Sequence, residues 1–143
     1  MDSTESKISI ADFDDLLKTG LPWTAMLDIN TEKMLAGEVV MRLPYRADST
    51  RPGGTISGPH MMLLADACMY GVVLSLIGRV ELAVTTNLNI NFLRKPRESD
   101  LVAEGKIIKL GKRLAVIEVA LHSEAEEKLV AHATGTYSIP PQA

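Results

Sequence analysis

Between Arg51 and Gly71 the chain reads RPGGTISGPHMMLLADACMYG, and it holds one carboxylate, Asp66. From Pro59 to Ile77 the only other group able to carry charge near neutral pH is His60. An unpaired carboxylate is costly to bury in such surroundings, so Asp66 either faces water or serves a reaction. As a reacting group a carboxylate serves as general base on water or as nucleophile, and the residues leave both open. Such chemistry also needs a donor for the oxygen that gains charge. The helix start at Gly58 offers one, because the first N–H groups of a helix are unpaired and lie at the positive end of its dipole.

These two residues do not reach one site within one chain. Gly58 and Asp66 are eight positions apart, about 12 Å along a helix axis at about 1.5 Å per residue. An aspartate side chain does not close that gap. Two copies of the helix, antiparallel across a two-fold axis, bring Gly58 of one chain against Asp66 of the other. If both residues serve one site, the spacing predicts a homodimer with two equivalent sites at its interface.

The elements that must hold these groups follow from periodicity. Ser9 to Thr19 reads as a short helix capped by Ser9, with Asp12 three residues on and Gly20 and Pro22 ending it; Trp23 and Leu27 pack it down. Leu35 to Leu43 reads as one half-buried strand closed by Pro44, with Leu35, Val39, Met41 and Leu43 on one face. The central helix opens with Pro59 in its first turn and stops at Gly78. Four strands follow: Leu82 to Leu93, Leu101 to Leu110, Leu114 to His122 and Leu129 to Ile139. In the first of them Leu82, Val84, Thr86, Leu88, Ile90 and Phe92 share a face, while Thr85, Asn87, Asn89 and Asn91 share the other.

A helix that is apolar all round is surrounded by protein. The expected architecture is therefore α+β, with an antiparallel sheet curled around one long helix whose small residues Ala65, Ala67, Cys68, Gly71 and Ser75 admit close strands. One domain is expected over 1–143, with 1–33 as a helical extension packed on it.

Composition excludes several classes. A net charge of −3 with scattered cations argues against nucleic acid. The single cysteine, Cys68, excludes an intrachain disulfide and fits a reducing compartment. The polar start MDSTESK is no secretory signal, which leaves the cytoplasm as the expected location. Asp66 near the middle of the apolar run opposes a membrane span, at a cost of about 2.5 to 3.5 kcal/mol. No cluster of His, Cys, Asp or Glu has metal-ligand spacing, so no metal site is expected.

The residues resemble the hotdog-fold acyl-CoA thioesterase superfamily, in its phenylacetate-pathway-like (PaaI-type) branch. The likeness runs from Leu35 to Ile139 and is best in Gly58 to Asp66, which is similar to the family's HGG-x6-D segment, and in NINFLRKP. It implies a long helix wrapped by an antiparallel sheet, assembly as dimers and often tetramers, and hydrolysis of acyl-CoA without metal or cofactor, coenzyme A being part of the substrate. By position it implies that the Gly58 N–H polarises the thioester carbonyl, that Asp66 is the catalytic carboxylate, and that Thr85 lies at or beside a water-orienting position. Arg51 stands where relatives place an amide, where it polarises the carbonyl, binds an acidic acyl group or pairs with Asp66. Lys112 and Arg113 occupy a turn that often contacts coenzyme A phosphates.

Ser57 and Pro59 replace the motif's histidine and second glycine, so the signature reads Ser-Gly-Pro. Pro59 donates nothing, but the expected donor is Gly58. Ser57, His60 and Asn87 complete the candidate substrate contacts. His60 has no evident acidic partner and reads first as a packing or interface residue, and Asn87 belongs to a stripe at solvent or a subunit interface. The hydratases and dehydratases of this fold need a His paired with an acid, for which nothing stands here. The alternative function is a non-catalytic acyl-CoA binding or sensing module.

Overall fold

The computed structural model describes residues 4–142, so the first residues of the polar start lie outside the described chain. Two helices, α1 (Ile10–Gly20) and α2 (Trp23–Met26), precede a hairpin of β1 (Asn30–Leu35) and β2 (Glu38–Leu43). The long helix α3 (Gly58–Ile77) follows, and then β3 (Val84–Phe92), β4 (Leu101–Leu110), β5 (Leu114–Ser123) and β6 (Leu129–Ser138). The six strands form one antiparallel sheet in the order β1-β2-β4-β5-β6-β3. Helix α3 packs against every strand of it, which is the hotdog arrangement.

Ser9 caps α1 as expected, its Oγ accepting the Asp12 N–H at 3.0 Å. Proline stands just inside the first turn of α3, and Ser57, expected as a substrate contact, is that helix's N-cap. Helix α3 is long and apolar enough to cross a membrane. Its apolar surface is instead covered by strands, with burial unbroken from Ala67 to Ser75. The approach is close enough that a methyl group on Gly105 of β4 would lie 2.8 Å from Cys68 Sγ. Alternation in β5 reads true, with Ala115, Ile117, Val119 and Leu121 buried beneath the helix.

Two expectations need correction. The single strand from Leu35 to Leu43 is two strands, because Ala36 and Gly37 form a tight turn in which Gly37 has φ +82°. The Gly37 N–H donates to Ser75 Oγ at 2.9 Å, tying the turn to α3. Residues 30–33 accordingly lie in a strand rather than in a helical extension. A two-residue turn leaves period-two alternation nearly undisturbed, which hid the break.

The second correction concerns β3. Thr85 opposes Tyr137 and Asn87 opposes Thr136 on β6, so Thr86 is an extra, bulged residue. The bulge places Thr85 on the inner face with Leu88 and Ile90 and turns Thr86 out, the reverse of simple alternation.

Candidate active site

Asp66 projects from the first half of α3 toward the start of β3 and the end of β6. Its Oδ1 accepts two hydrogen bonds, from Thr85 Oγ1 at 2.7 Å and from the Tyr137 hydroxyl at 2.7 Å. These donors stand opposite one another in the β3–β6 ladder, and the bulge at Thr86 lets both face inward. The Tyr137 hydroxyl also lies 3.0 Å from the Asp66 carbonyl oxygen. Burial, and then the negative charge of Asp66, push the Tyr137 phenol well above its ordinary range, so it stays protonated and acts as a donor. Tyr70, one helical turn beyond Asp66, stacks on Tyr137 with ring centroids 6.1 Å apart and donates to the Glu81 carbonyl at 2.9 Å.

These groups line a cleft of about 600 Å³. One wall comes from the end of α1 and the residue that caps it, with Leu16, Thr19 and Leu21, and the exposed Arg79, Glu81, Leu82 and Val84 line its mouth. The lining is largely apolar beyond the carboxylate and its donors, a composition suited to an organic ligand held next to a few oriented polar groups.

Gly58 lies in a different cleft, of about 470 Å³, at the far end of β3. Phe92 covers it closely, since a methyl group at 58 would lie 3.3 Å from the ring. Arg51, Arg94 and Lys95 share this cleft with Met61 and Leu93. Three cations beside the positive end of a helix make a favourable environment for oxygen anions. Arg51 is exposed and, within one chain, does not pair with Asp66.

The structure thus brings Thr85 to Asp66 and keeps Gly58 and Arg51 apart from them. Ser57 and His60 meet each other, with Ser57 Oγ 2.5 Å from His60 Nδ1, so the imidazole turns back on the helix cap. Asn87 is exposed beside the bulge and lines neither cleft. Lys112 and Arg113 are exposed in the β4–β5 turn, at the end of the sheet that carries Tyr137, and they too line neither cleft. Sequence reasoning missed Tyr137, Tyr70, Arg94 and Lys95. Tyr137 falls by alternation on the apolar face of its strand with Leu129, Ala131 and Ala133, Tyr70 lies in the uncharged helix with nothing to single it out, and the last two sit within NINFLRKP without an assigned role.

Comparison with known proteins places this geometry. The sequence model of the thioesterase superfamily matches residues 53–130, which include Gly58, Asp66 and Thr85. A candidate thioesterase from Silicibacter sp. is 40% identical, with a TM-score of 0.87 over 98% of this chain and 97% of that one. A mutant of PaaI, the phenylacetic acid degradation protein of Thermus thermophilus, is 27% identical, with a TM-score of 0.74 over 83% of this chain and 99% of its own. A candidate esterase of Saccharolobus solfataricus is 30% identical over 113 residues, 79% of each chain. The chain therefore belongs to the thioesterase superfamily, a group of thioester hydrolases, in its PaaI-like branch on the hotdog fold.

Proposed function

We propose that the protein hydrolyses acyl-CoA thioesters at two equivalent sites, each shared between two copies of the chain. The observation that carries this reading is the placement of the two half-sites at opposite ends of β3. Asp66, Thr85 and Tyr137 lie at its start, and Gly58, Arg51 and Phe92 lie at its end. β3 is also the last strand of the sheet, with one edge unpaired. Its sequence, VTTNLNINF, carries no charge and no proline, the devices that normally keep an open edge from pairing. Exposed Leu82, Val84, Phe92 and Leu93 flank it at both ends. A second copy paired antiparallel about a two-fold axis near Leu88 sets Val84 of one chain beside Phe92 of the other. The carboxylate cleft of each chain then faces the glycine cleft of its partner.

In the joined site the acyl group enters the apolar cleft below α1, and the coenzyme A part runs past Arg51, Arg94 and Lys95. The Gly58 N–H donates to the carbonyl oxygen, stabilising the charge that develops on it. Asp66 takes a proton from water as the water oxygen bonds to the carbonyl carbon. Collapse of the tetrahedral intermediate breaks the C–S bond, and the proton held by Asp66 passes to the departing thiolate, leaving free acid and coenzyme A. The reaction needs no metal or cofactor. Cys68, free and buried in the core, accords with a reducing compartment such as the cytoplasm.

Subunit complementation tests the whole reading. Asp66→Asn is expected to lose at least about a hundredfold in turnover, the usual scale for removing a reacting acid. Gly58→Leu keeps the backbone N–H but fills the space in front of it, where a methyl group would already lie 3.3 Å from the Phe92 ring, and is expected to lose about as much by shutting the carbonyl out. When equal amounts are mixed and re-dimerised, half of the dimers are mixed and hold one intact site, so activity returns to about a quarter of wild type. Failure of the mixture to regain thiol release, with mixed dimers verified, overturns the shared site. No thiol release by the wild type over a broad acyl-CoA panel, with tight binding retained, would instead identify a binding or sensing module.

A further inference from the structure

Tyr137 is named neither by the sequence motif nor by any resemblance, yet it makes as short a contact with Asp66 as Thr85 does. Both donate to Oδ1, at 2.7 Å each. No hydrogen bond reaches Oδ2 from the described residues. A carboxylate has two oxygens and several lone pairs, and here the fold uses one oxygen as an anchor and leaves the other for chemistry. Tyr137 is itself held fast. It is 3% exposed, its backbone is fixed between Thr85 on β3 and Ala115 on β5, and its ring stacks on Tyr70 at 20°. Tyr70 in turn meets the Phe13 ring of α1 at 6.0 Å.

We propose that Tyr137 is a positioning residue for thioester hydrolysis: together with Thr85 it anchors Asp66 through Oδ1, so that Oδ2 alone receives the proton of the attacking water. The proposal rests on the function given above. Within one chain the titratable and charged groups that line the cleft with the carboxylate are Tyr70 from its own helix, Tyr137 from β6, and Arg79 and Glu81, and in the proposed dimer the other copy adds Arg51, Arg94 and Lys95. Among the described residues, Tyr137 and Thr85 supply the hydrogen bonds to the carboxyl group. A carboxylate released from one of two donors turns more freely and presents Oδ2 to the water less often.

Tyr137→Phe deletes the hydroxyl and keeps the ring stack. Expected are a fall in kcat of about ten- to a hundredfold with KM within about twofold, the signature of an interaction that matters in the transition state rather than in binding. A role confined to packing would lower the melting temperature and leave kcat of the folded protein unchanged. A second readout is independent of turnover: the carboxyl carbon of Asp66, followed by carbon-13 NMR in the free protein at one pH, is expected to shift in Tyr137→Phe as the hydrogen bond to Oδ1 is lost. Unchanged kcat and an unmoved resonance in the variant overturn the proposal while leaving the hydrolase reading intact. If the wild type hydrolyses no thioester, that reading falls and the resonance still decides whether Tyr137 anchors Asp66. If Tyr137→Phe does not fold, replacement of tyrosine by 3-fluorotyrosine, a stronger donor, is expected to move the same resonance, and no movement refutes the proposal.

Discussion

Thr85 and Asp66 are 19 residues apart in sequence and 2.7 Å apart in space, joined by a hydrogen bond from Thr85 Oγ1 to Oδ1. The contact exists because β3 carries one residue more than the stretch of β6 it pairs with. Without that insertion Thr85 would face away from the helix. Thr85→Val keeps the shape and removes the donor. It is expected to reduce kcat about tenfold and to cost about 1 kcal/mol of stability, the usual net contribution of such a bond, as measured by thiol release and urea unfolding.

In the proposed dimer the open edge of β3 is the seam, and assembly is then a condition of activity. Asn87→Glu combined with Asn89→Glu puts four carboxylates across the seam about the proposed two-fold axis. Like charges set opposite one another between strands destabilise pairing. Sedimentation is expected to show a monomer, and thiol release is expected to vanish with it. A monomer that retains full turnover would place the entire site within one chain.

In the proposed reaction the wall at the end of α1 limits the length of acyl group admitted. Leu21 is half-buried and lines the carboxylate cleft. Leu21→Trp fills part of that space, so kcat/KM is expected to fall by about tenfold or more for acyl chains of eight carbons and longer, while acetyl-CoA changes by less than about twofold. A chain-length series in both proteins reads the difference. A parallel drop at every length would move the acyl pocket elsewhere.

Cys68 provides a pH signature of the core. Burial pushes its thiol up to about 12 from an ordinary value of 9.0. An acid with a raised value in the fold keeps its proton there while the unfolded chain loses it. Stability from this group is therefore complete below about pH 9 and declines as pH rises from about 9 toward 12, at roughly 1 kcal/mol per pH unit. Urea unfolding between pH 9 and 10 is expected to show a steeper decline for wild type than for Cys68→Ala, and equal slopes would contradict the assignment. The same thiol is expected to resist alkylation at pH 8 until the protein unfolds.

Much of the scaffold was legible in the sequence, for identifiable reasons. Ser9, Pro59 and Gly78 punctuate helices by their own backbone chemistry. In β5 the apolar set Ala115, Ile117, Val119 and Leu121 has one face to bury and no ambiguity of period. Ala36 and Gly37 were read as strand because a turn that short leaves the alternation running on. The bulge at Thr86 was hidden for a related reason: in TTN all three residues are polar, so no apolar side chain marks the change of face. Tyr137 showed only as the last member of an apolar face, because its hydroxyl acquires meaning only when α3 lies beneath it. Spacing alone separated Gly58 from Asp66, and the two clefts keep that separation. The cations beside Gly58 needed the fold, since Arg51 and Arg94 are brought into one cleft from opposite sides of α3 in the chain.

The wall of the carboxylate cleft has one more consequence. Leu16 and Leu21 belong to a segment that precedes residues 53–130, the stretch matched by the superfamily, whereas Gly58, Asp66 and Thr85 all fall inside it. In the proposed reaction this part of the acyl wall and the residues Gly58, Asp66 and Thr85 therefore lie on separate lengths of chain. Leu16 and Leu21 are open to redesign for a new acyl group without altering those three, provided the contact of Phe13 with Tyr70, which backs Tyr137, is kept.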